Sequence, residues 1–179
     1  GLITGDKEYQ FDAIVFAIGF DAMTGPLMSI DIRGRGGDSL REKWHGGPRT
    51  YLGLTVAGFP NLFAITGPGS PSVLTNMPVA IEQHVEWVAE CIRDLRAREI
   101  ERIEATVAAE DDWVKHVNDT AHKTLYVHAN SWYMGSNVPG KPRVFTPYVG
   151  TVSDYRQRCN DVMAENYRGF ELKASASEV

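Results

Sequence analysis

The sequence has little cysteine, no long apolar run and no basic tract, and each shortage removes a class of function. Its two cysteines, Cys91 and Cys159, stand far apart without a C-x-x-C spacing and read as reduced thiols of a cytosolic protein. The longest apolar run, residues 13–18, is six residues long, against the roughly 20 that a membrane-spanning helix needs. No signal-peptide pattern opens the chain. Lysine and arginine are scattered through a chain of net charge −5 and pI near 5.5, so a nucleic-acid backbone would find no concentrated positive charge. The G-x-S-x-G elbow of acyl hydrolases is missing. So are G-x-G-x-x-G and G-K-[ST], although Asn61 to Pro78, NLFAITGPGSPSVLTNMP, has the apolar run, glycine-rich loop and helix start that usually accompany a phosphate. A starting methionine is lacking too, and the abrupt entry into a hairpin leads us to expect a piece of a longer chain.

What is present is the composition of one soluble globular domain, or of part of a larger one: 179 residues, 43% hydrophobic and 23% charged. Residues 1–10 alternate around Gly5-Asp6 as a β-hairpin. The continuous apolar run of residues 12–19 fits a parallel strand buried on both faces. Two short apolar stretches, 51–56 and 62–66, flank the turn Gly58-Phe59-Pro60-Asn61. From Pro78 the period becomes helical, with Ile81, His84, Val85, Val88, Cys91, Ile92 and Leu95 on one apolar stripe. A second helix is expected over 109–125, a strand over 144–148 and a third helix over 153–167. The order is α/β, but parallel strands need crossover connections, and the first strands arrive without one.

Several residues invite chemistry. His116, His122 and His128 recur every six positions, which on a helix turns successive side chains by about 240° and prevents convergence on a metal. His84 lies on the apolar stripe, where a buried, hydrogen-bonded imidazole is expected. Glu110, Asp111 and Asp112 suit the positive end of a helix better than a cation site. Gly19, closing the buried strand, either admits a ligand against bare backbone or simply turns the chain. The loop SWYMGSNVPGKPR offers Trp132 as a flat apolar face and Lys141 and Arg143 as charges suited to phosphate or carboxylate. The same residues could equally be a plug and a solvated loop.

Three ordered blocks, FDAIVFAIGFDAMTGPL, GPRTYLGLTVAGFPNLFAITGPGSPSVLTNMPVAIEQHVEW and SWYMGSNVPGKPRVF, together resemble the C-terminal part of Baeyer–Villiger monooxygenases, most nearly the phenylacetone and steroid monooxygenase branch. The resemblance spans residues 1–172. It implies an α/β fold that is the C-terminal half of a Rossmann-like FAD-binding domain in a two-dinucleotide-binding-domain flavoprotein, with short strands and about three main helices. Residues 173–179 are then a flexible tail, and the NADPH domain and N-terminal FAD unit lie outside this chain.

The activity implied is FAD- and NADPH-dependent insertion of one oxygen from O2 beside a ketone carbonyl, through a C4a-peroxyflavin, to give an ester or lactone. The alternatives are a flavin monooxygenase oxidising nitrogen or sulfur, and an inactive stand-alone fragment. By position, the resemblance puts FAD against Gly19, Phe20, Gly67, Pro68, Asn76 and Met77, and the nicotinamide cofactor against Trp132 on a mobile loop. Substrate would meet Ser72, Val73 and Leu74. Ile18 stands where the family has threonine. The resemblance implies no catalytic residue and no metal ligand in this chain, whose sites would need the N-terminal remainder. It implies neither a nucleic-acid nor a membrane partner.

Overall fold

A computed structural model describes residues 1–17, 19–72 and 74–174. The readings made at Ile18, at Val73 and for residues 175–179 fall outside them. The chain opens with the expected hairpin, β1 (Leu2–Thr4) against β2 (Lys7–Tyr9), antiparallel around Gly5 at φ 59°. Two four-residue helices follow, α1 (Gly25–Met28) and α2 (Leu40–Lys43). Helix α2 begins with a capping box: the Ser39 hydroxyl accepts from the Glu42 N–H, and the Glu42 carboxylate accepts from the Ser39 N–H.

Helix α3 (Met77–Ala97) is the longest element. It is followed by β3 (Ile100–Ala105), α4 (Val107–Ala121), α5 (Val152–Ala164) and β4 (Phe170–Ala174). The second described sheet is the antiparallel pair β3–β4. Sequence periodicity misses this pair because a register irregularity between Ile100 and Arg102 interrupts the alternation of β3. Strand β4 also takes in Lys173 and Ala174, the first two residues of the expected tail.

Residues 12–19 correct the sequence reading. The described ones, 12–17 and 19, form no strand, and Val15 is 86% exposed with Phe16 and Phe20 nearly as open. A strand is stabilised by cross-strand pairing, and among the described residues nothing pairs with this one. The stretch 51–56 likewise yields only isolated bridges, Tyr51 to Thr55 and Val56 to Phe59, and 62–66 yields none. Residues 144–148 contribute one parallel bridge from Tyr148 to Pro71, and Pro147 has no N–H with which to extend a ladder.

The main core lies between α3, α4, α5 and the β3–β4 pair and is rich in aromatics. Their polar ends donate to backbone carbonyls: Trp87 Nε1 to Cys159, Trp113 Nε1 to Gly69, Tyr155 OH to Leu52 and Tyr51 OH to Arg168, at 2.7–3.1 Å. Each bond lets a large ring be buried without an orphaned polar group. Cys91 and Cys159 are free and fully buried here, and burial pushes their thiols up to about 11 and about 12. A smaller cluster of Leu40, Trp44, Val56 and Phe59 anchors α2.

Helix α3 carries two apolar faces where the sequence reading sees one stripe. Ala80, His84, Trp87, Cys91 and Leu95 are buried, whereas Met77, Ile81, Val85 and Ile92 are 36–49% exposed. A helix apolar on two sides is built to be covered on two sides.

Glu110 also departs from expectation. It is fully buried, with Oε1 accepting from the Ala57 N–H at 2.9 Å and Oε2 2.9 Å from Lys43 Nζ. Glu104 accepts from the neighbouring Gly58 N–H at 3.1 Å. Two carboxylates thus grip the turn 56–59. Glu110→Ala would leave the Lys43 ammonium, still bonded to the Ala57 carbonyl, without its carboxylate and the Ala57 N–H without an acceptor, and should lower unfolding free energy by about 3 kcal/mol, read from denaturant midpoints. A loss below about 1 kcal/mol would contradict this account.

His84 accepts a hydrogen bond at Nδ1 from the Thr66 N–H at 3.1 Å, and burial holds its pKa down at about 4. Unfolded imidazole titrates near 6.5, so protonation favours the unfolded chain between those values. The contribution is fully present above pH 6.5 and is lost as pH falls to 4, by about 3 kcal/mol. Denaturant unfolding at pH 7.5 and 4.5 should show a smaller loss in His84→Leu than in the unsubstituted chain; equal losses would exclude His84 as the titrating group.

Candidate functional site

Three segments carry the residues singled out by the sequence: 19–24, the loop 66–76 leading into α3, and the loop 131–143. The structure joins the first and third. Asn137 Nδ2 donates to the Phe20 carbonyl at 3.1 Å, and Lys141 Nζ lies 2.5 Å from Asp21 Oδ1 and 2.7 Å from Thr24 Oγ1. Burial disfavours the Asp21 carboxylate, but the Lys141 hydrogen bond and charge outweigh it, leaving its pKa below the ordinary value. Gly19 has φ 78°, in the left-handed region that favours glycine. A Cβ built there would meet only the Asn137 amide nitrogen, at 3.9 Å, so the backbone is open to a close neighbour.

The loop 131–143 is organised from within. Arg143 donates to the carbonyls of Val127 and Ala129 at 3.1 Å and to the Asn130 side chain at 2.5 Å. Trp132 is exposed and meets Tyr133 edge to face, their ring centroids 4.3 Å apart. The two cations that the sequence offered to a phosphate or carboxylate are therefore committed to protein partners. Asp21, Thr24 and Asn137 are the residues that sequence reasoning missed. No periodicity or motif spacing connects positions more than a hundred residues apart.

The glycine-rich loop has a buried first part and an exposed end. Gly67 and Pro68 are buried. A Cβ on Gly67 would lie 2.4 Å from the Gly53 carbonyl oxygen, and the Pro68 carbonyl accepts from Thr50 Oγ1 at 2.7 Å. Both residues let the loop pack on residues 50–53. Thr66, just before them, has φ 55° and is held by His84, an unusual conformation for a β-branched residue. Ser72 is buried, and its Oγ has no hydrogen-bond partner among the described residues, whereas Leu74, Asn76 and Met77 are exposed. The Asn76 side chain does not cap α3, so the positive end of that helix keeps unsatisfied donors. Among the described residues no hydrogen bond or ion pair links Asn76 or Met77 to Gly19, Phe20 or Trp132.

Among the described residues no group of three or more histidine, cysteine or acidic side chains could hold a metal ion. His116 Nε2 lies 3.3 Å from Tyr148 OH, and His122 Nδ1 is 2.7 Å from the Asn118 carbonyl oxygen. Among the described residues no helix is long and apolar enough to cross a membrane.

No protein-family model matches the chain. Known proteins do. The chain is 46% identical over 165 residues to acetone monooxygenase (methyl acetate-forming) of Gordonia sp. (strain TY-5), covering 92% of this chain and 31% of that protein. It is 38% identical over 173 residues to a Baeyer–Villiger monooxygenase of Pseudooceanicola batsensis, covering 97% of this chain and 31% of the relative. The crystal structure of cyclohexanone monooxygenase from Rhodococcus sp. Phi1 bound to NADP+ superposes with a TM-score of 0.90 at 41% identity, over 95% of this chain and 32% of that one. The chain thus spans about a third of the length of the relatives it matches. Over nearly its whole length the chain is thus similar, in sequence and in fold, to about a third of Baeyer–Villiger monooxygenases.

Proposed function

We propose that this chain works as part of a longer FAD- and NADPH-dependent monooxygenase that converts a ketone to an ester or lactone, and that it is the C-terminal half of the enzyme's Rossmann-like FAD-binding domain. The observation that carries this reading is the second apolar face of α3. Met77, Ile81, Val85 and Ile92 stand exposed on it, beyond what one packed core would leave outside. Covering the apolar area that they still expose would gain roughly 25 cal/mol per Å². The unpaired apolar segment 12–19 has the same need for a cover. Sheet neighbours and a flavin from the remainder of the enzyme would meet both.

The residues present fit that cofactor. Gly19 leaves its backbone open, Phe20 offers a free ring, and Asn76 with Met77 presents the uncapped start of α3. In this reading FAD lies against these four residues, the nicotinamide cofactor against Trp132, and the ketone near Ser72 and Leu74. When bound, the flavin supplies the redox chemistry that draws on NADPH and O2. The positive end of α3 would stabilise negative charge on the flavin ring without a lysine, so the lysine-free loop suits this guest. Ser72, with its unpaired hydroxyl, would orient a polar group in a partly desolvated pocket. The chain's part is binding and positioning, and the groups that act on the reacting atoms belong to the remainder of the polypeptide.

The full-length enzyme, given a ketone, NADPH and O2, should form ester or lactone in step with NADPH consumption. Oxidation of a thioether or amine with no ester from ketones would favour a nitrogen- or sulfur-oxidising enzyme. No NADPH-dependent oxidation at all would leave the stand-alone, inactive reading.

A further inference from the structure

We propose that Lys141 is a positioning residue: through Asp21 and Thr24 it fixes the Trp132 loop onto the segment 19–24, so that the two surfaces move as one body. Naming those surfaces as nicotinamide and flavin contacts rests on the function proposed above. The coupling itself rests on geometry alone.

The latch is a closed triangle. Lys141 Nζ donates to Asp21 Oδ1 at 2.5 Å and to Thr24 Oγ1 at 2.7 Å, while Thr24 Oγ1 and N donate to the Asp21 carboxylate at 3.1 and 3.3 Å. The Lys141 side chain is only 14% exposed and Thr24 is buried. Removing one partner of such a pair strands the other charge away from water, which costs far more than breaking a surface pair. A second, neutral tie runs beside it, from Asn137 Nδ2 to the Phe20 carbonyl at 3.1 Å. Both ties leave the loop from one stretch, 137–141, and both land within residues 20–24.

Packing holds the first half of the loop, where Met134 joins Ala121 and Phe145 in a buried cluster, but not the stretch 138–142 that carries the latch. A cavity of about 320 Å³ lies behind residues 138–142, between them and Met28, Arg41 and Trp44. A segment with open space on one side takes its position from its specific polar contacts. The loop can also transmit a displacement, because Arg143 stiffens it through bonds to residues 127, 129, 130 and 136. Residues at one end of such a stiffened loop carry the other end with them.

The test uses the full-length enzyme, with hydrogen–deuterium exchange followed over peptides covering 131–143 and 19–24, and NADPH kinetics measured in parallel. Lys141→Met should raise exchange in both segments together and raise the KM for NADPH by roughly tenfold with kcat changed less than about threefold. Lys141→Arg, which keeps the charge, should recover most of both effects. Should Lys141→Met fail to fold, Asn137→Ala cuts only the neutral tie and should raise exchange in the same two segments by a smaller amount. Faster exchange in 131–143 with 19–24 unchanged, in either variant, overturns the proposal. Coupled exchange with an unchanged KM for NADPH upholds the latch and removes instead the assignment of Trp132 to the nicotinamide cofactor.

Discussion

Helix α3 has to be covered on two sides, and the rest of the structure follows from that demand. Its inner face, with Trp87, Cys91 and Leu95, supplies the wall against which α5 and the β3–β4 pair pack. Its outer face, from Met77 to Ile92, stays open in this chain. The same helix sets the loop before it: His84, two turns in, holds the Thr66 N–H, while Asn76 and Met77 end that loop at the helix start. One rigid element thereby connects the aromatic core, the exposed apolar surface and the residues proposed to meet a flavin. A shift of α3 would move all three.

Polar side chains in this fold chiefly hold backbone in place. Glu104 and Glu110 grip the turn 56–59, Arg143 gathers the carbonyls of its own loop, and Lys141 joins two distant segments. Each is directed at a loop lacking regular hydrogen bonding, where a side chain must satisfy what a ladder or helix would have satisfied. The positive charge of the 131–143 loop is therefore spent internally, which leaves the exposed ring of Trp132 as its outward feature.

Elements whose stability is local were legible in the sequence. The hairpin at Gly5-Asp6 and the three long helices lie close to where turn residues and helical spacing put them. Elements that depend on distant partners were not. Residues 12–19 have the composition of a central strand but nothing described here to pair with, and β3 and β4 pair across an intervening span of two helices. The apolar stripe of α3 was visible, but its division into a packed and an open face is a tertiary fact, since Val85 and Ile92 look no different in sequence from Cys91. Glycine was ambiguous for a similar reason: at Gly67 the missing Cβ makes room for Gly53, whereas at Gly19 it leaves the backbone open. The internal contacts of Gly67, Pro68, Lys141 and Arg143 were not legible either, because each reaches a partner distant in sequence or set by the loop's own folding.

The central claim is that the outer face of α3 is the seam along which this chain meets the flavin-holding remainder of the enzyme. The most direct measurement is flavin content of the purified full-length protein, read as the ratio of flavin to protein absorbance, with and without Ile81→Asp. A charge placed in that seam cannot be buried without a partner, whereas on a free surface it would be harmless. The account expects Ile81→Asp to lose most of its FAD while far-ultraviolet circular dichroism still reports the helices of the fold. Full retention of FAD with unchanged stability would contradict it.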